Sequence, residues 1–144
     1  MANAVMPCWK QVMLGDAAIT GFTAPNMESG TIKLFLLDTA DDTINVATDQ
    51  DLADIVGAGI VATGTLASKT VVLSSPTVTF DAANLTLTAV TGDSAENMVI
   101  YQDTGTAGTS LLLIHFDTFT SGMPVTPNGG DIVVAFHDSG IVAF

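Results

Sequence analysis

Hydrophobic positions along the chain fall in short runs of four to seven residues, parted by clusters of Gly, Pro, Asn, Asp and Ser. That spacing predicts strands. The runs are Thr31–Leu37, Ile60–Thr63, Thr70–Leu73, Thr77–Phe80, Leu85–Val90, Met98–Gln102, Leu111–Phe116, Ile132–Phe136 and Ile141–Phe144. Thr77-Val78-Thr79-Phe80 and Leu85-Thr86-Leu87-Thr88 alternate as half-buried strands do, with threonine on the outer face in place of lysine or glutamate. Leu111–Phe116 and Ile132–Phe136 are apolar on both faces and carry no lysine to blunt an open edge. Either a neighbouring subunit or a two-sheet core within the chain must cover them.

Two segments break the strand pattern. From Asn3 to Leu14, Asn3 is placed to cap a short helix that Pro7 kinks or starts. After Thr48, Thr48 and Asp51 have capping-box spacing ahead of Leu52 and Ile55, which predicts a second short helix. No repeat, low-complexity tract or charge block divides the sequence, so residues 1–144 read as a single domain. The expected fold is all-β, an antiparallel β-sandwich or barrel with one or two short helices near the N-terminal half.

Composition strengthens this reading. Thr, Val and Ile supply 43 of the 144 residues, whereas Glu, Lys, Gln and Arg supply eight, so strand formers far outnumber helix formers. Hydrophobic residues make up 48% and charged residues only 12%, which excludes disorder driven by low hydrophobicity. A folded chain of this mass has roughly 7,000 Å² of surface, enough to enclose a core. Charge excludes partners: the net charge is −12, the only cations are Lys10, Lys33 and Lys69, and none follows Thr70. Binding to nucleic acid or to an anionic membrane needs lysine and arginine against phosphate, so neither partner is expected. The N-terminal residues lack the basic and apolar regions of a signal peptide, and the longest apolar stretch, Ile55–Ala62, is too short to cross a bilayer; a soluble protein made in the cytoplasm is expected.

No motif assigns a reaction. Cys8, the single cysteine, reads as a small buried hydrophobe between Pro7 and Trp9. His115 and His137 each have an aspartate close by (Asp117, Asp138), and Ser139 follows the second, but no oxyanion motif accompanies them and a structural role is expected. Gly92-Asp93-Ser94 begins like an esterase motif yet joins two strands, and Gly57 with Gly59 lacks the rest of a dinucleotide loop. Asp49, Asp51 and Asp54 open like a calcium loop whose later ligands are missing. Asp38, Asp41, Asp42, Asp81, Asp93, Asp103, Asp117, Asp131 and Asp138 fall at the ends of strand runs, where aspartate bonds the turn backbone. Weak calcium binding by such turns stays open, but no catalytic residue, metal ligand or cofactor is assigned.

Longer stretches carry a resemblance. The opening MANA, GTIKLFLLDTADDTINVATDQDLADI (Gly30–Ile55) and the segment from Val78 to Phe136, above all GMPVTPNGGDI (Gly122–Ile132), resemble a family of small tailed-bacteriophage virion structural proteins. Relatives in that family are expected to carry arginine in the N-terminal helix and after the central helix, and a tryptophan before the final turn; this chain has no arginine, and Phe136-His137 stand before its final turn. The resemblance implies a structural role in the particle and no catalysis. The first expectation is therefore a capsid decoration or cement protein, trimeric or otherwise clustered, and bound to the major capsid protein or another virion protein. A tail, collar or head-fibre component is the alternative, and a carbohydrate-binding module or small hydrolase ranks last, since one Trp and one Tyr give little to stack a sugar on. Residues 1–14 are the candidate docking arm through Met6, Trp9, Val12 and Met13, or else a helix that covers one end of the sheet.

Overall fold

The computed structural model describes residues 3–16 and 19–144. In chain order the elements are β1 (Ala4–Val5), α1 (Pro7–Leu14), β2 (Ile32–Leu37), β3 (Ile60–Thr65), β4 (Thr70–Ser74), β5 (Thr77–Asp81), β6 (Leu85–Leu87), β7 (Asn97–Gln102), β8 (Leu112–Phe116), β9 (Ile132–Val134) and β10 (Val142–Ala143). Single 3-10 turns lie at Leu52–Asp54, Gly57–Gly59 and Ala107–Thr109. Every strand pair is antiparallel. A five-stranded sheet has the order β1-β8-β7-β2-β3, a three-stranded sheet the order β10-β5-β4, and β6 pairs with β9. Each sheet keeps two edges, so the all-β fold is sandwich-like and does not close into a barrel.

β2 organises the large sheet. Its register with β7 runs without a break from Ile32 opposite Gln102 to Leu37 opposite Asn97. Alternation then puts Ile32, Leu34, Leu36 and Ile100 on one face, and Phe35, Leu37, Val99 and Tyr101 on the other. All eight are buried, so this strand is covered on both sides, as a nearly continuous apolar run requires. The first face meets the β6–β9 pair. Opposite Leu34, Gly64 on β3 stands so close to Leu85 and Leu87 that an added Cβ would lie 2.7–2.9 Å from their methyl groups. On the second face the Phe35 and Tyr101 rings meet at 5.7 Å, tilted by 56°.

Several boundaries differ from the sequence pattern. The apolar run at Leu85–Val90 stops pairing after Leu87, because Ala89 takes φ 51° and its N–H is held by the Asp131 carboxylate at 2.9 Å. The Ile132–Phe136 run likewise ends at Val134, and the Phe136 N–H donates to Asn84 Oδ1. Helix α1 begins at Pro7 with Met6 as its cap residue; Asn3 is not the cap. The Asn3 side chain instead accepts the N–H groups of Asp117 and Thr118, fastening the start of the chain to the end of β8. The second expected helix is only the turn Leu52–Asp54, capped by Asp51 with Asp54 reciprocating, three residues later than the Thr48 reading.

Leu111–Ile114 are each 0–3% exposed, and β8 lies between β1 and β7. The core within the chain, not a neighbouring subunit, therefore covers this run.

Gly140 closes the turn into β10. It takes φ +98°, its N–H donates to His137 O at 2.8 Å, and a Cβ there would collide with the Thr79 methyl group. Gly140→Ala is expected to lower stability by about 1–3 kcal/mol in urea denaturation, since both backbone and space oppose a side chain. An unchanged midpoint and slope would show that the turn adapts freely.

Candidate functional site

The groups with the greatest catalytic potential do not converge. His115, on β8, is 2% exposed and shares one 3.2 Å hydrogen bond between its Nε2 and the Asn97 amide nitrogen. Its Nδ1 is buried without a hydrogen-bond partner among the described residues. Burial pushes its pKa below the ordinary 6.5, with the Asp117 carboxylate opposing that shift. His137 stands in the turn before β10, where its Nδ1 accepts the Ser139 backbone N–H at 3.0 Å. The nitrogen that a triad would offer to a carboxylate is thus occupied by the turn itself. Cys8 is 3% exposed, its thiol directed at Leu112 O and Gln50 O, and burial raises its pKa to about 11. At neutral pH it is a protonated core residue, as its sequence neighbours implied.

Several of the carboxylates placed between strands bond turn amides, as that placement predicted. Asp38 accepts from Ala40 N–H, Asp103 from Gly105 N–H, and Asp81 from Ala82 N–H. Asp42 joins two loops by accepting from Thr43 and Val56 N–H groups at 2.7 and 2.6 Å. Within the truncated calcium motif, Asp49 binds Asn45 N–H, Asp51 binds Ala53 N–H, and Asp54 binds Gln50 N–H. Asp103 also pairs with Lys33 at 2.6 Å; the ammonium lowers the Asp103 pKa, and the carboxylate raises that of Lys33. Asp38, Asp41 and Asp93 bring one oxygen each within 4.8 Å of one another, with Asp38 buried and the other two exposed. The Asp38 hydrogen bond to the turn accounts for its position without a cation.

A cleft of about 310 Å³ lies between the large sheet and β9, lined by Leu36, Met98, Met123, Val125 and Ile132 with the 119–122 loop. Among the described residues no titratable side chain lines it, so this lining can accept an apolar group but offers no acid or base. Trp9 and Tyr101 are 2% and 4% exposed, and neither presents a platform for a sugar ring. Among the described residues, no helix is long and apolar enough to cross a membrane.

The proposed docking arm needs correction. Met6 is fully buried and Trp9 nearly so, with the Trp9 ring edge-on to Phe144 at 5.5 Å and 85°. Met6 N–H donates to Leu113 O, and Val12 packs partly against the core. α1 therefore covers one end of the sheet; of the four named residues only Met13 is substantially exposed, beside Leu14.

The notable exposed apolar surface lies on β4, which the sequence pattern did not single out. All five of its residues are exposed, with Val72 at 55% and Leu73 at 70%. β5 uses Val78 and Phe80 to bond β10, through Val78 N–H to Phe144 O, Phe144 N–H to Val78 O and Ile141 N–H to Phe80 O. Thr77, Thr79 and Asp81 consequently turn toward Ser74, Val72 and Thr70 of β4. The backbone groups of Val71 and Leu73 then point to the open side of the sheet. Glu28 Oε1 accepts the Val71 N–H there at 3.0 Å. Among the described residues no hydrogen bond reaches the Leu73 N–H.

The chain matches no protein-family model and none of the curated proteins.

The buried histidine sets a pH dependence. Its depressed pKa makes the charged form unfavourable in the folded state, so its contribution to stability is complete above about pH 6.5 and lost as pH falls through the folded-state value. Urea denaturation of wild type and H115Q between about pH 7.5 and pH 5 should show the wild type losing stability relative to the variant on acidification. Parallel curves would mean that His115 takes up its proton without cost.

Proposed function

We propose that this chain is a structural protein of a tailed-bacteriophage virion, most specifically a capsid decoration or cement protein that clusters, as a trimer, and adds contacts between shell subunits. The observation that carries the reading is the surface of the β4–β5 hairpin: from Thr70 to Phe80 there is no charged residue, in a chain of net charge −12, and Val71, Val72 and Leu73 lie exposed on it. A neutral, apolar edge on an acidic body is suited to joining protein surfaces. The likeness of Gly30–Ile55 and Val78–Phe136 to virion proteins supplies the setting. A shell stabilised by many modest contacts gains from a small domain that is already folded when it docks, and the buried β2, β7 and β8 provide such a body.

Quantitative mass spectrometry of gradient-purified particles, with antibody labelling seen by electron microscopy, tests the reading. The expected result is a protein present in many copies and labelled over the head. Labelling on the tail or collar would keep the structural role and reject decoration of the shell. Absence from purified particles, with the protein left in the soluble lysate, would reject the virion role.

A further inference from the structure

The open side of β4 is chemically the same read in either direction. Thr70-Val71-Val72-Leu73-Ser74 runs hydroxyl, aliphatic, aliphatic, aliphatic, hydroxyl, and no residue of the strand carries charge. The outward backbone groups belong to Val71 and Leu73, which flank Val72 symmetrically. An antiparallel copy rotated about a twofold axis through Val72 therefore places Val71 opposite Leu73 of the other copy and Val72 opposite Val72. In this register both outward residues of each strand form hydrogen-bonded pairs, and Thr70 meets Ser74. Moving the axis to Val71 or Leu73 sets one outward residue of each strand opposite Lys69 or Ser75 of the other copy, beyond the strand.

We propose that β4 is a self-recognition edge through which two copies of this chain pair strand to strand, centred on Val72, and that Glu28 restrains the pairing by occupying the Val71 N–H. Three observations select a second copy as the occupant. The strand is self-complementary in register and chemistry. The eleven uncharged residues from Thr70 to Phe80 let two bodies of charge −12 approach without setting strand carboxylates against each other. Among the described residues Glu28 is the one carboxylate bonded to this edge, in the place that a partner carbonyl takes when the strands pair. A five-residue strand pair buries less than the roughly 1,200 Å² of a standard stable interface, so the contact is reversible in solution and gains strength when copies are held side by side. The contact is isologous and closes on two copies, which makes it a link between clusters as well as between free molecules. It does not depend on the virion reading.

Two measurements on the full chain test the proposal. In sedimentation equilibrium, E28A should dimerise about tenfold more tightly than wild type, because a charged acceptor no longer competes for the Val71 N–H. Single cysteines at 71, 72 and 73 then read the register. Opposed residues of a non-hydrogen-bonded antiparallel pair stand about 4.5 Å apart at Cα, within disulfide reach, whereas positions 71 and 73 face each other and not themselves. Under mild oxidation V72C should cross-link at least about tenfold faster than V71C or L73C, and buried Cys8 contributes no competing exposed thiol. Far-ultraviolet circular dichroism matching wild type confirms that each variant is folded. An E28A chain that stays monomeric at several hundred micromolar, or equal cross-linking rates for the three cysteine variants, overturns the pairing and leaves this edge to a strand of a different protein.

Discussion

The structure depends on hiding β2 from water on both of its faces. Ile32, Leu34, Phe35, Leu36 and Leu37 are each at most 1% exposed, and only Lys33 among the six residues carries charge. Burial of each such side chain contributes about 1.5–3 kcal/mol, so a sheet covered on one side alone would forfeit half of the strand's contribution. The β6–β9 pair lies against one face, with Gly64 allowing the approach of Leu85 and Leu87. With β7 and β3 bonded on either side of β2, and β8 beyond β7, a body so poor in ionic side chains can still close its core within a single chain. Its surface of 7300 Å² is ordinary for its mass.

Much of this order is legible in the sequence, because strand and turn signals are local. β2, β3, β4, β5, β7 and β8 fall within a residue or two of the apolar runs, and aspartates between the runs bond turn amides. Backbone geometry shortened others: Ala89 in the left-handed region ends β6 before the β-branched pattern runs out. The helix start was ambiguous for a similar reason. Asn3 and Pro7 are both good start signals, but the Asn3 side chain accepts the Asp117 and Thr118 amides after β8, 114 and 115 residues away, which leaves Pro7 to begin the helix.

Burial was the less legible quantity, because it depends on which strands become neighbours. Leu111–Phe116 and Thr70–Leu73 both read as strands; the first was the stronger candidate for a surface between subunits, yet it lies inside the sheet while β4 is left at an edge. Met6 and Trp9 show the same effect, since an amphipathic segment looks alike whether it docks on a partner or on its own sheet. The open backbone of β4 follows only from the bonds that β5 makes to β10, and no local pattern announces them. Function inherits this division: His115, His137 and Cys8 lie in separate settings, and the exposed apolar edge belongs to a strand without them.

The central claim is that the core closes within one chain and leaves β4 as its open edge. Residue-resolved amide hydrogen exchange, followed by nuclear magnetic resonance in dilute protein, measures this directly. Amides of β2, β7 and β8 should exchange slowly at micromolar concentration, while the Leu73 amide exchanges near the rate of an unstructured peptide and slows as concentration rises. Rapid exchange throughout β8 in the dilute chain, with protection regained only on association, would contradict the account.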